Sequence, residues 1–281
     1  MRPIEQQTIL ITGATDGLGR GVATELAAAG ATVLIHGRDE RRGQQTLDAI
    51  REQTSNPNVH WLCADLASIE EVRALAARVA EEHDCLHALV NNAGIGTTNP
   101  DGEQRRQLSR DGYELRFAVN YLAGYLLTRL LLPLLERSAP ARIVNVSSAG
   151  QAPIDFDDVM LERGYSGVQA YCQSKLAQVM LTCDLGEELA DRGVTATCLH
   201  PATYMPTKMV LESGTSPVSS LRDGIDATLR LIADPELDGV TGAYFNGRRP
   251  ATPNAQAHDR RARGRLRELS DELCGLRAAN A

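Results

Sequence analysis

The chain has 281 residues, long for one domain but normal for a single α/β unit, and at 43% hydrophobic it can build a large core. A net charge of −7 argues against a global nucleic-acid footprint, and an aromatic content of 4% argues against a carbohydrate-stacking or single-strand-binding surface. The six cysteines form no CxxC pair and no cluster with histidines at metal-ligand spacing, so no metal is expected and reduced thiols in a cytoplasmic protein are the simplest reading.

The amino end, MRPIEQQ, has no apolar signal core. "TILITG" (8–13) is a short apolar run ending in glycine, as a buried parallel strand does. "GRGVATELAAAG" follows with helical apolar spacing, "ATVLIHGR" (31–38) is the next strand, and "DERRGQQTLDAIREQ" is a polar helix. "VHWLCADL" (59–66) is a strand, and "SIEEVRALAARVAEE" a helix with Ser68 as N-cap and Glu71 three residues on. "LHALVNNAG" (86–94) is a fourth strand and turn, followed by a long helix over about 111–137. Its most apolar stretch, 121–135, is too short to span a bilayer and is interrupted by Arg129 and Pro133, so no membrane partner is expected. Strands are predicted at 141–150, 193–202 and 242–247, and a helix carrying Tyr171 and Lys175 runs to about 191. Residues 203–220 read as a lid loop, and 251–281 as a polar, Arg-rich surface helix with a frayed end. Strand alternating with helix predicts one doubly wound Rossmann-type α/β domain over 1–281, with a mostly parallel seven-stranded sheet. Its ligand would sit outside the carboxyl ends of the strands.

"TGATDGLG" (12–19) lies between the first strand and the first helix. Gly13, Gly17 and Gly19 permit a tight turn and close backbone approach, and Thr15, Asp16 and Leu18 complete the loop. The helix amino end then offers free N–H groups to a pyrophosphate. The spacing is GxxxGxG rather than GxGxxG. At the end of the second strand, "HGRDERR" puts Arg38 where an NAD site usually has an acid, with Arg41 and Arg42 just beyond. A guanidinium can grip a ribose 2′-phosphate with two charge-assisted bonds, which favours NADP. If the strand runs longer, Asp39 becomes the ribose-binding acid instead.

Tyr171 and Lys175 are four positions apart in "AYCQSKLAQ" and so lie over one another on a helix. A tyrosine with a pKa near ~10 rarely gives up its proton at neutral pH. A cation beside it is one way to make the phenol a usable acid–base group, while the pair taken alone also fits a solvated helix face.

These segments together resemble the short-chain dehydrogenase/reductase family. The matches are "TGATDGLG" (12–19), "NNAG" (91–94), Asn120 in "FAVN", "VNVSS" (144–148) and "YCQSK" (171–175), in the family's order over about residues 8–207. The stretch "SS…PIDFDD…YSGVQAYCQSKLAQ" looks most like the retinol dehydrogenase and carbonyl reductase branch. One departure is Pro201-Ala202 where the family has Pro-Gly. The resemblance implies that Asp65 and Leu66 contact adenine, and that Asn92, Ala93 and Gly94 form the shelf beneath the adenine ribose. It implies that Asn120 holds a water relay behind the lysine and that Ser148, rather than Ser147, holds the substrate oxygen. Tyr171 would be the general acid and Lys175 its activator and nicotinamide-ribose ligand. Pro201, Ala202, Thr203 and Thr207 would grip the carboxamide and open the lid.

The expected reaction is NADPH-dependent interconversion of a ketone or aldehyde and an alcohol, with a small-molecule substrate and no nucleic-acid partner. Homo-oligomers, if formed, would pair through the 111–137 and 168–191 helices. A non-catalytic NADP-binding regulator is the rival on the same fold, although all four catalytic positions are filled here. His200, Cys172 and the arginine run from Arg260 to Arg267 read as structural, inert and solvated respectively.

Overall fold

A computed structural model describes residues 2–98 and 105–276. In chain order, β1 (Thr8–Ile11) leads to α1 (Gly17–Ala28), β2 (Thr32–Gly37) to α2 (Glu40–Thr54), and β3 (Val59–Cys63) to α3 (Ile69–Glu82). β4 (Ala88–Asn91) leads through a loop to a π-helical turn, Phe117–Leu122, which continues as α4 (Ala123–Arg137). Then come β5 (Ala141–Val146), α5 (Gly167–Glu188), β6 (Val194–His200), α6 (Lys208–Glu212) and α7 (Leu221–Ala233). The chain closes with β7 (Ala243–Asn246), β8 (Arg249–Pro250) and α8 (Arg260–Leu273).

The sheet order is β3-β2-β1-β4-β5-β6-β7-β8, parallel throughout except for the β7–β8 pair. The expected seven strands therefore become eight. β8 is a two-residue edge strand, too short to show a period in the sequence. β1 and β5 are buried at every position, as strands covered on both faces must be. On one face α1, α2 and α7 pack Val22, Ile50 and Leu231 against Ile9 and Ile11. On the other, α3, α4 and α5 pack Leu75, Leu126 and Met180 against Leu10 and Ile143. β1 lies between β2 and β4, so the order reverses there and a crevice opens beyond the carboxyl ends of β1 and β4.

Ser68 caps α3 by accepting from the Glu71 backbone N–H at 3.3 Å, but the Glu71 carboxylate turns away to the Asp65 N–H at 2.6 Å. The helix expected from 111 starts at 115 instead, because Leu108 and Glu114 close an isolated bridge just before it. The stretch 117–137 is long and apolar enough to cross a membrane by length and composition, yet most of it is buried in this fold. Within the 203–220 segment, α6 is a short helix.

α8 differs from a merely solvated helix. Arg263 is buried and pairs with Glu187, and Arg267 pairs with Asp184, both acids on α5. Tyr121 and Tyr125, from the π-turn and α4, hydrogen-bond Ser270 and Asp271 of α8. Part of the α4 and α5 surface expected to pair between subunits is thus covered by the chain's own helix. Of the 251–281 segment expected to end frayed, residues 277–281 lie outside the described residues.

Candidate active site

The floor of the crevice is stitched from polar side chains that reach across strands. Thr12, at the end of β1, accepts at Oγ1 from the backbone N–H groups of Asn92 (3.0 Å) and Ala93 (3.1 Å). Asn92 donates from Nδ2 to the carbonyls of Thr12 (2.8 Å) and Gly13 (3.1 Å). A Cβ on Gly13 would lie 2.8 Å from the Ala93 Cα, and one on Gly19 only 2.4 Å from the Gly13 carbonyl oxygen. Both positions therefore need glycine for the loop to close on the shelf. His36 joins the loop to the end of β3. Its Nδ1 accepts from the Gly13 N–H at 3.3 Å and its Nε2 lies 3.1 Å from the Ala64 carbonyl. These partners define the neutral Nε2–H tautomer. Burial drives the His36 pKa down to about 4, against weaker upward pulls from the Ala64 carbonyl and Asp65.

The remaining loop residues divide by role. Asp16 caps α1 by accepting from the Gly17 N–H at 2.7 Å and pairs with Arg42 at 3.5 Å. The Thr15 carbonyl accepts from Thr46 Oγ1 at 3.4 Å. Leu18 is buried toward α7, so its backbone and not its side chain faces the crevice. Leu66, Thr12, Ala93 and Asn120 line one small cavity at the floor. Asp65 accepts from the Ala67 N–H at 3.0 Å and pairs with Arg110 at 3.6 Å. β2 ends at Gly37, which leaves Arg38 as the first exposed side chain beyond it. Asp39 instead caps α2, accepting from the Arg42 N–H at 2.9 Å.

α5 carries Tyr171 and Lys175, with Ser166 capping its start. Tyr171 and Ser148 meet at Gly150, where an added Cβ would lie 3.6 Å from Ser148 Oγ and 3.8 Å from Tyr171 Cε1. Ser148 is partly exposed and accepts at Oγ from the Gly150 N–H at 3.1 Å. Ser147 is buried and donates to the Lys175 carbonyl at 2.8 Å. Lys175 Nζ lies 5.7 Å from the Tyr171 ring centroid. It donates to the Val146 carbonyl at 2.9 Å and to Gln178 Oε1 at 3.0 Å. Asn120 sits in the π-turn, a geometry frequent at functional sites. It accepts from the Ile95 N–H at 2.8 Å and donates to Ser174 Oγ at 2.9 Å. A Cβ on Gly94 would lie 3.3 Å from Asn120 Oδ1 and 3.4 Å from Lys175 Nζ, so these three meet at one point.

One electrostatic expectation is corrected. Burial raises the Tyr171 pKa, and the nearby Ser148 hydroxyl pulls it only part of the way back. Burial also lowers the Lys175 amine, to about 7. Burial thus outweighs the neighbouring Lys175 in setting the Tyr171 pKa, and the amine itself bonds a carbonyl and an amide.

The segment after β6 crosses in front of the glycine loop. Pro201 is buried, Ala202 half-buried, and a Cβ on Gly17 would lie 3.2 Å from Thr207 Cγ2. Thr203 Oγ1 is 3.0 Å from His200 Nε2, which gives that histidine a local partner. Tyr204 has a left-handed φ of +45° and its carbonyl accepts from the Val218 N–H at 3.1 Å. Sequence reasoning assigned no role to Thr12, His36 or Gln178. Thr12 and His36 carried no signal beyond being polar on a face that should be apolar, while Gln178 also stands at i,i+3 spacing from Lys175.

Residues 7–216 match the family model for short chain dehydrogenases. The chain belongs to that family and is an oxidoreductase of its retinol dehydrogenase branch. It is 36% identical to human Retinol dehydrogenase 13 over 293 residues, covering 98% of this chain and 86% of that one. A crystal structure from Mycobacterium paratuberculosis is similar, with a TM-score of 0.75 and 29% identity over 96% of this chain and 94% of that one. So is a short chain dehydrogenase from Shigella flexneri 2a complexed with NADP, with a TM-score of 0.70 and 28% identity over 86% and 97% of the two chains.

Proposed function

We propose that the chain is an NADP-dependent oxidoreductase that interconverts a ketone or aldehyde and an alcohol. The observation that carries this reading is the meeting of Tyr171 and Ser148 beside Gly150 at the mouth of a glycine-lined crevice, with Lys175 and Asn120 behind them. The crevice suits a dinucleotide: Gly13, Gly17 and Gly19 line its loop, and Asn92, Ala93 and Gly94 form the facing shelf. Arg38, exposed just past β2, is the group that would bind a ribose 2′-phosphate, and the NADP-bound relative supports that choice. Asp65 and Leu66 would hold the adenine end, and Pro201, Ala202, Thr203 and Thr207 the nicotinamide end. When bound, the cofactor supplies or accepts the hydride.

The protein's own residues handle the oxygen. As a carbonyl is reduced, negative charge grows on its oxygen, and Tyr171 and Ser148 both donate to it. Tyr171 then passes its phenolic proton to that oxygen. Its raised pKa keeps the phenol protonated and ready to act as an acid at neutral pH. In the reverse direction Tyr171 must lose that proton, and a charged Lys175 next to it stabilises the phenolate. Exposed apolar side chains on the lid segment, Tyr204, Leu211 and Val218, support an apolar carbonyl substrate.

The test is NADPH oxidation across a panel of aldehydes and ketones by the native chain and by Tyr171→Phe. The variant should keep the native melting temperature and NADPH affinity and lose ~10²–10⁴-fold in turnover. Unchanged turnover in the variant defeats the assignment.

A further inference from the structure

We propose that Gln178 is a positioning residue for Lys175, its carboxamide oxygen joining the Val146 carbonyl to hold the amine, in its charged form, at the crevice floor. The inference rests on the oxidoreductase reading above. Gln178 follows Lys175 by three residues on α5, so the two side chains share a face. Its side chain is buried, and a buried carboxamide is costly unless its polar atoms are used. Gln173, also buried on α5, shows the ordinary structural use: it donates from Nε2 to the Val159 carbonyl at 2.7 Å. Gln178 instead turns Oε1 to the lysine, 3.0 Å away.

The residue is itself held in register. Its backbone carbonyl accepts from Thr182 Oγ1 at 2.8 Å, and that hydroxyl accepts from Asn145 Nδ2 at 2.9 Å. Asn145 in turn accepts from Asn91 at 2.9 Å. The chain ties α5 to β5 and β4 directly beneath the site.

A neutral acceptor suits this place. A carboxylate would form an ion pair and tether the lysine. An aliphatic side chain would leave a buried ammonium with one fewer acceptor and favour its neutral form. An ammonium has three donors; with Val146 and Gln178 taking two, one is left for the phenol side of the crevice. The groups facing the amine are Tyr171 on α5, the Val146 carbonyl of β5, Gly94 beyond β4, and Asn120 from the π-turn. Of these only the Tyr171 phenol titrates.

The chain contains two lysines, Lys175 and Lys208. Lys208 is exposed and pairs with Glu212 at 3.5 Å, so it serves as an internal control. With lysine labelled at Cε and Nζ, NMR titration of the full chain resolves both amines in the native protein, Gln178→Leu and Gln178→Glu. A hydrogen bond to a charged group is worth about one pH unit or more. The Lys175 midpoint should therefore fall by about one unit in Gln178→Leu and rise in Gln178→Glu, with Lys208 unmoved. The alkaline limb of kcat for carbonyl reduction should move in the same two directions. Gln178→Glu is nearly isosteric and decides the matter if the leucine variant does not fold. Unmoved Lys175 midpoints in the folded variants, with only a changed melting temperature, overturn the proposal. The titration needs no turnover, so a native chain that reduces no carbonyl defeats the oxidoreductase reading while leaving the Gln178–Lys175 contact separately readable.

Discussion

Thr12 and His36, on the floor of the crevice, are each 2% exposed, whereas Tyr204 on its rim is 51% exposed. The floor is held by side chains. Thr12, His36, Asn92, Asn120 and Gln178 each bond a backbone group or a buried amine contributed by a different segment or helical turn. The rim is held mostly through main-chain carbonyls, with Val218 N–H on Tyr204 and Ser219 Oγ on Thr203. Chemistry that tolerates little displacement sits where side chains lock one another. On the proposed reading, recognition falls to a loop whose exposed side chains can change without disturbing the sheet. Changes at the floor should therefore alter stability and binding together, and changes at the rim should separate them.

The largest effect is expected at His36. His36→Leu keeps the volume and removes both hydrogen bonds, which strands the Gly13 N–H and the Ala64 carbonyl. The expected cost is about 2–4 kcal/mol at pH 7.5, with weaker NADPH binding. The cost should shrink in acid. Folded His36 has a pKa of about 4, below the ~6.5 of an unfolded histidine, so between those values the unfolded chain binds the extra proton. His36 thus contributes fully above about pH 6.5, and its contribution erodes as the pH falls toward 4. His60, His83, His87 and His200 are also lowered, chiefly by burial, so the variant should retain an acid slope, shallower by up to one proton. Urea unfolding at pH 7.5 and pH 5 measures both quantities. An equal gap at the two pH values would mean that the ring contributes only packing.

His36 also marks where the sequence stops being readable. The glycine loop, the NNAG turn and the Tyr171–Lys175 pair are motifs at strand ends or on one helix, and their spacing follows from local geometry. The two serines also differ in setting: Ser148 is partly exposed and accepts from the Gly150 N–H, while Ser147 bonds inward to the Lys175 carbonyl. His36 and Thr12 were not readable as site residues, whereas Gln178 stands only three residues from Lys175 on the same helix. The partners of Thr12 lie about eighty residues away, and those of His36 more than twenty. No local period encodes such partners. The same reason hid α8: its arginines read as solvated until α5 supplied Asp184 and Glu187.

Arg38 tests the rim from the cofactor side. Arg38→Ala should weaken NADPH by about 10–100-fold, the worth of charge-assisted bonds to a phosphate, and leave NADH nearly unchanged. Its stability should stay within about 0.5 kcal/mol of native, as for most exposed sites. Raising the salt should narrow the NADPH–NADH gap, because an exposed guanidinium is screened. Fluorescence titration with both cofactors at two ionic strengths reads this directly. Equal losses for the two cofactors would remove the 2′-phosphate role and return Asp39 to consideration.

The smallest stability effect, and the sharpest separation, is expected at Tyr204. A non-glycine residue in the left-handed region costs roughly 1–2 kcal/mol, and Tyr204 holds φ at +45°. Tyr204→Gly removes that strain but gives the unfolded chain more freedom, a term of similar size and opposite sign. The melting temperature should therefore barely move. Tyr204→Ala keeps the strain and loses the ring, so it should not be more stable than the glycine variant. Both variants lack the phenol at the mouth, and both should raise KM for an apolar carbonyl by several-fold with kcat held. A kcat loss comparable to that of Tyr171→Phe would mean that a second phenol takes part in proton transfer. The division between a floor that does chemistry and a rim that selects would then fail at the residue where it is most exposed to test.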